Sequence, residues 1–191
     1  MCLICSSVYA IKPCNGLAGY KLGEKLNPDK ALYAGSEGAA YEGEVSNLKL
    51  YRVSIIKPFM DFTQCVVGLT PNSNLIGAIF LYQEIKTNGE KTFDKVKTVV
   101  ESHYEIGENN KEKPLSFVGK EIRYLFPNNR VMGLKYEVQL LGNNKLGLFV
   151  ADGFILKIAQ EEFYQNTIKN TNTSGLEWLF LYIKFWFKGN K

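Results

Sequence analysis

From Lys49 to about residue 160, apolar and polar side chains alternate in short runs, and most of those runs predict strands. Tyr51, Val53 and Ile55 alternate with Arg52 and Ser54, the period of a half-buried strand. Thr63 to Leu69 is a second run. The cluster Thr70-Pro71-Asn72-Ser73-Asn74 marks a turn, because proline presets φ and asparagine tolerates turn geometry. Leu75 to Tyr82 then carries no charge, which predicts a strand covered on both faces and placed centrally.

The period changes after Lys86. Phe93, Val96, Val99, Val100 and Tyr104 fall at helical spacing, with Asp94, Lys95, Lys97 and Glu101 largely opposite, so one amphipathic helix is expected to lay its apolar stripe on the sheet. Thr87 followed by Glu90 fits a capping box at its start. Glu105 to Pro114 reads as a charged loop, closed to further helix by Pro114.

The second half predicts an antiparallel meander. Ile122, Tyr124 and Phe126 precede a Pro127-Asn128-Asn129 turn. Met132, Leu134, Tyr136, Val138 and Leu140 then make the cleanest period-two run in the chain. Gly142-Asn143-Asn144 turns the chain into Leu146, Leu148 and Val150. Asp152-Gly153 is a strong hairpin signal, since both positions accept positive φ, and Phe154, Leu156 and Ile158 would be the closing strand. The expected fold class is therefore α+β: an antiparallel β-sheet of about six to seven strands, one helix packed on a face, and an aromatic C-terminal segment.

Residues 11–48 are rich in glycine and alanine, with a loop expected at Ser36-Glu37-Gly38. Their one patterned piece, Gly19-Tyr20-Lys21-Leu22-Gly23-Glu24-Lys25-Leu26, is similar to the start of many exported bacterial proteins. The strand–helix–strand order also resembles the layouts of beta-lactamase-inhibitor-protein-like domains and of small outer-membrane-assembly lipoproteins. That resemblance implies an exported binding or interaction module and transfers no site residue.

The organisation read from these patterns is a signal-peptide remnant over 1–10, a single domain over 11–164, a polar linker over 165–175 and an aromatic segment over 176–191. Met1 to Ala10 is uncharged and ends in Val8-Tyr9-Ala10, the shape of an export cleavage site, although no basic region precedes it. Export to the periplasm or medium is expected. The alternative is a cytoplasmic protein whose first strand is apolar. Loss of residues 1–10 would leave Cys14 and Cys65, compatible with one disulfide closing a loop of roughly 50 residues and contributing about 3–4 kcal/mol. Cys65 also shares parity with Val67 and Leu69 and reads equally as a small buried hydrophobe.

The segment Leu176 to Lys188 is too short for a membrane span and contains Lys184. Trp178, Tyr182, Phe185 and Trp186 form a helical stripe with three candidate destinations. They are the sheet face left open by the internal helix, a membrane interface, and a protein partner. The first is preferred, because small domains often complete their cores with apolar termini.

Composition narrows the chemistry. At 191 residues, 46% hydrophobic and 22% charged, the chain is an ordinary one-domain globular protein. A net charge of +4, with only Arg52, Arg123 and Arg130 as arginine and lysines spread along the chain, argues against a nucleic-acid partner. The single histidine, His103, follows Ser102 directly, and neighbours on a helix do not face each other, so they are no catalytic pair. Its placement suits a helix C-terminus, where a cationic ring meets the macrodipole. Glu161 and Glu162 are adjacent and expected in solvent. Asn172-Thr173-Ser174 is a glycosylation sequon. No phosphate-binding loop, nucleophile elbow or paired metal-ligand spacing is present, so no catalytic residue, metal or cofactor is expected. An exported, non-enzymatic binding module that contacts a protein partner or the cell envelope is the leading expectation. The alternative is a small hydrolase or transferase whose fold assembles a site around His103.

Overall fold

The structure, a computed structural model, describes residues 13–106, 111–112, 119–138 and 144–170. Two short hairpins open it: β1 (Gly16–Leu17) with β2 (Tyr20–Lys21), and β3 (Leu32–Tyr33) with β4 (Ser36–Glu37). Four sheet strands follow, β5 (Ala40–Val45), β6 (Leu48–Val53), β7 (Gln64–Leu69) and β8 (Ile76–Ile85). After α1 (Gly89–Tyr104) come β9 (Lys111–Glu112), β10 (Lys120–Phe126), β11 (Arg130–Glu137), β12 (Asn144–Asp152) and α2 (Gly153–Asn170). The fold is α+β. Seven strands of six to ten residues, with two-residue β9 at one edge, pair antiparallel in the order β5-β6-β7-β8-β12-β11-β10-β9. Two meanders thus meet where β8 pairs β12, and the uncharged run from Leu75 supplies the central strand, as its composition predicts.

Register assigns the faces. Val53, Cys65, Leu81, Leu148, Leu134 and Ile122 stand in one cross-strand row, and Val67, Ile79, Val150, Met132 and Tyr124 stand in the next. These side chains are almost wholly buried and form the main core. Each such aliphatic burial contributes about 1.5–3 kcal/mol against exposure. The core is roofed by Phe93, Val96, Val100 and Tyr104 of α1, which packs on β11 and β12. Val99, on the edge of the stripe, is instead exposed. Beside α1 the roof is completed by Cys14, Leu17, Ala18, Tyr20 and Leu22. The Gly19–Leu26 segment is thus a plug. Tyr20 and Leu22 enter the core, and the Tyr20 hydroxyl donates to the Ser54 carbonyl at 2.8 Å. Lys21 and Glu24 pair at 2.9 Å in solvent.

Several expectations fail for local physical reasons. Asp152-Gly153 is not a hairpin, and Phe154, Leu156 and Ile158 are not a strand. The Asp152 carboxylate accepts from the N–H groups of Phe154 (2.9 Å) and Ile155 (3.3 Å), the N-cap geometry that starts α2. Gly153 does not adopt positive φ. Because α2 runs to Asn170, residues 165–170 of the expected linker are helical. No Thr87–Glu90 capping box forms either. α1 starts from Asn88 in the left-handed region (φ 57°), without a side-chain cap, and Gly89 lets the helix end meet the Tyr136 ring. Ser36–Glu37, expected as loop, is β4. β5 has no counterpart in the sequence reading. Its burial is irregular because a bulge at Tyr41/Gly43 breaks the period.

Candidate functional site

α2 crosses the second face of the sheet at one end of the strands, and two grooves lie along it. The helix sits close because that end of the face is paved with small residues. Gly68, Ala78 and Ala151 are cross-strand neighbours, and Ala78 and Ala151 form with Leu48 and Ala159 a separate small core, against which Phe80, Val131 and Leu156 pack. A Cβ on Gly77 would stand 3.0 Å from Leu48 and 3.1 Å from Ile155, so that glycine sets the approach of the helix.

Polar contacts fix both ends of α2. At the start, the Asp152 carboxylate caps the helix through one oxygen and receives Arg130 Nε on the other at 2.9 Å. Arg130 also donates to the Cys14 carbonyl (3.2 Å) and to the Asn15 side chain. Further along, Glu162 Oε2 accepts from the N–H groups of Asn72 (2.7 Å) and Ser73 (3.2 Å), which ties α2 to the β7–β8 turn. Burial pushes the Glu162 pKa up, but hydrogen bonds from the Ser73 side chain, the Asn72 and Ser73 N–H groups and Thr70 outweigh it, leaving a net lowering. Asn166 and Asn72 exchange side-chain amide hydrogen bonds at 2.8 and 3.2 Å. Inside the turn the Thr70 and Ser73 hydroxyls meet at 2.6 Å, and Thr70 Oγ1 accepts from Leu75 N–H.

Two grooves flank this junction. One, of about 570 Å³, is lined by Asn72, Ile158, Glu161, Glu162, Tyr164 and Gln165. The other, of about 310 Å³, runs between Phe163, Asn166 and Thr167 of α2 and Glu44, Asn47, Lys49 and Pro71 of the neighbouring turns. Phe163 lines the second groove, and Ile168, 61% exposed, follows Tyr164 by one turn on the side of the first. The role of Glu162 is hidden in the sequence, where it stands beside Glu161 and reads as a solvent-facing residue. The 90-residue separation from Asn72 leaves no local pattern to read.

The sequence-predicted residues are placed as follows. The candidate Cys14–Cys65 disulfide is not formed: both are free, buried thiols. Burial raises the Cys65 pKa to about 12. Burial also raises Cys14, against opposing hydrogen bonds from the Tyr104 side chain and the Gly16 backbone and the charge of Arg130. Cys65 therefore takes the reading of a small hydrophobe aligned with Val67 and Leu69. His103 lies in the last turn of α1, exposed, its ring edge-on to Tyr104 at 4.7 Å, and it lines neither groove. Trp178, Tyr182, Phe185 and Trp186, the sequon, and residues 1–10 lie outside the described residues. Among the described residues, no group of three or more His, Cys, Asp or Glu could hold a metal ion, and no helix is long and apolar enough to cross a membrane. Compared with protein-family models, curated proteins and solved structures, the chain matches none.

Proposed function

We propose that this chain is an exported, non-enzymatic binding module that holds a protein partner along the grooves beside α2. The observation that carries the reading is the construction of that surface. Glu162, Asn166 and Asn72 are engaged with one another's backbone and amide groups, so the polar lining maintains a shape rather than acting on a bond. Apolar Phe163 and Ile168 stand beside it, the mixture of apolar anchor and hydrogen-bonding rim that protein interfaces use. The uncharged Met1–Ala10 opening supports export to the periplasm or medium.

Photo-reactive residues placed at Ile168 and, as control, at Val99 on the outer side of α1 test the reading in the cells that make the protein. A discrete protein adduct from position 168 alone supports it. Equal labelling from both positions, or none, removes it. Sequencing the first residues of the recovered protein tests export separately, and a retained Met1 in a cytosolic fraction overturns that part.

A further inference from the structure

Among the described residues, the second face of the sheet is covered only in part. α2 starts beside Asn129, passes Gly77 at β8 and ends against the β5–β6 turn, so it lies across one end of the strands. Beyond it, the next cross-strand row reads Val66, Phe80, Phe149, Gly133 and Arg123, and the one after reads Gln64, Tyr82, Gly147, Lys135 and Glu121. Phe80 stacks on Tyr82 with centroids 6.3 Å apart and planes within 5°, and it leans on Phe149 at 6.1 Å. Both outer rings lie over glycines. A Cβ on Gly133 would overlap the Phe149 ring, and one on Gly147 would touch Tyr82 at 3.3 Å. The result is a low aromatic shelf, half-buried at Phe80, Tyr82 and Phe149, that gives way to Arg123 and Glu121 on β10.

We propose that residues 176–191 of this same chain cover that shelf. From Leu176 to Lys188 only Glu177, Lys184 and Lys188 are charged, and every other residue is aliphatic or aromatic. α2 delivers the chain to the β5–β6 side of the face. From β6 to β8 is two inter-strand steps, about 10 Å, and the first aromatic row lies three residues, roughly 10 Å, along the strands from the β5–β6 turn, a diagonal of about 14 Å. The polar connection 171–175 reaches at most about 17 Å. The segment can therefore begin over β8 and run on across the aromatic rows toward β12. Tethering raises its effective concentration at the shelf to the millimolar range, above that of a free partner or a second copy in dilute solution.

Trp178 and Trp186 are the two tryptophans of the chain, so indole fluorescence of the intact protein reports on this segment alone. Covered, they emit at blue-shifted wavelength, resist acrylamide, and keep both properties on dilution. Phe149→Asp, and the half-buried Tyr82→Ser where the first variant fails to fold, move emission toward that of free tryptophan while far-UV circular dichroism stays native. Val99→Asp does not. Solvent-like emission from the wild-type chain overturns the proposal, as does unchanged emission in a folded Tyr82→Ser variant. A shift that disappears on dilution assigns the shelf to a second copy. A shift that requires anionic phospholipid vesicles assigns the segment to a membrane. Either outcome overturns the proposal as well.

Discussion

Arg130 and Asp152, paired directly across β11 and β12, join the two layers of the fold through a single carboxylate. One Asp152 oxygen takes Arg130 Nε at 2.9 Å, and the other accepts from the first N–H groups of α2. Arg130 carries the link on to the Cys14 carbonyl, and so to the N-terminal plug over the main core. The pair is mostly buried, with side-chain exposures of 18% and 8%. Removing one partner strands the other, which costs more than the pair itself contributes.

Asp152→Ala is therefore expected to lose both the cap, about 1 kcal/mol, and the partner of a largely buried guanidinium, for a total of about 3 kcal/mol. Asp152→Asn keeps a capping acceptor and loses less. Urea midpoints of the two variants decide this. Equal losses would place the effect in the charge alone, and a loss below 1 kcal/mol for Asp152→Ala would refute the linkage.

Acid weakens the second fastening of α2. The folded Glu162 carboxyl titrates below its ordinary value near 4.5, so the unfolded chain takes up its proton first as pH falls. Stability from this group is fully present above about pH 4.5 and is lost as pH falls through the lower folded value. Glu162→Gln is expected to flatten that part of the stability profile, because it removes the titrating charge and keeps an acceptor for Asn72 N–H. Urea midpoints at a series of pH values below 6 provide the check. An unchanged profile in the variant would show that other carboxylates carry the acid sensitivity.

The sequence yielded the sheet because one face of each long strand is buried continuously, so period two is imposed along β10, β11 and β12. It misled at residues 152–158. There Asp-Gly fits both a hairpin and a helix N-terminus, and Phe154 to Ile158 is apolar at nearly every position, which carries no period. α2 itself is nearly non-amphipathic, with Phe154 and Ile168 exposed, so helical spacing gave no signal. The grooves were invisible for a different reason. Glu162, Asn72 and Asn166 meet only after β8 and β12 have paired, and nothing local in the chain encodes that meeting.

Free thiols at Cys14 and Cys65 give a chemical prediction. With a pKa near 12, Cys65 is thiolate in on the order of one molecule in ten thousand at pH 8, and the thiolate is the reactive form. Alkylation of either site should proceed only through opening of the fold, at a rate that tracks the unfolding equilibrium. Peptide mapping after timed exposure to iodoacetamide separates these two from Cys2 and Cys5. Modification of Cys65 as rapid as in urea-denatured chain would contradict its burial.

The glycines beneath the aromatic shelf give the last prediction. Gly133 is paired with Phe149 across β11 and β12, and the ring occupies the space a Cβ would need. Glycine is an unfavourable strand residue by itself, and an aromatic ring laid over it recovers the lost packing. Gly133→Ala gains intrinsic strand preference of under about 1 kcal/mol but must displace the ring, an overpacking cost of about 1–3 kcal/mol. A net loss is expected. Phe149→Leu removes the obstructing ring, so the double variant should lose less than the sum of the two single losses by about 1 kcal/mol. Urea denaturation of all four proteins measures that coupling. Strict additivity would mean that ring and glycine do not compete for the same space, and the flatness of the shelf would then need another cause.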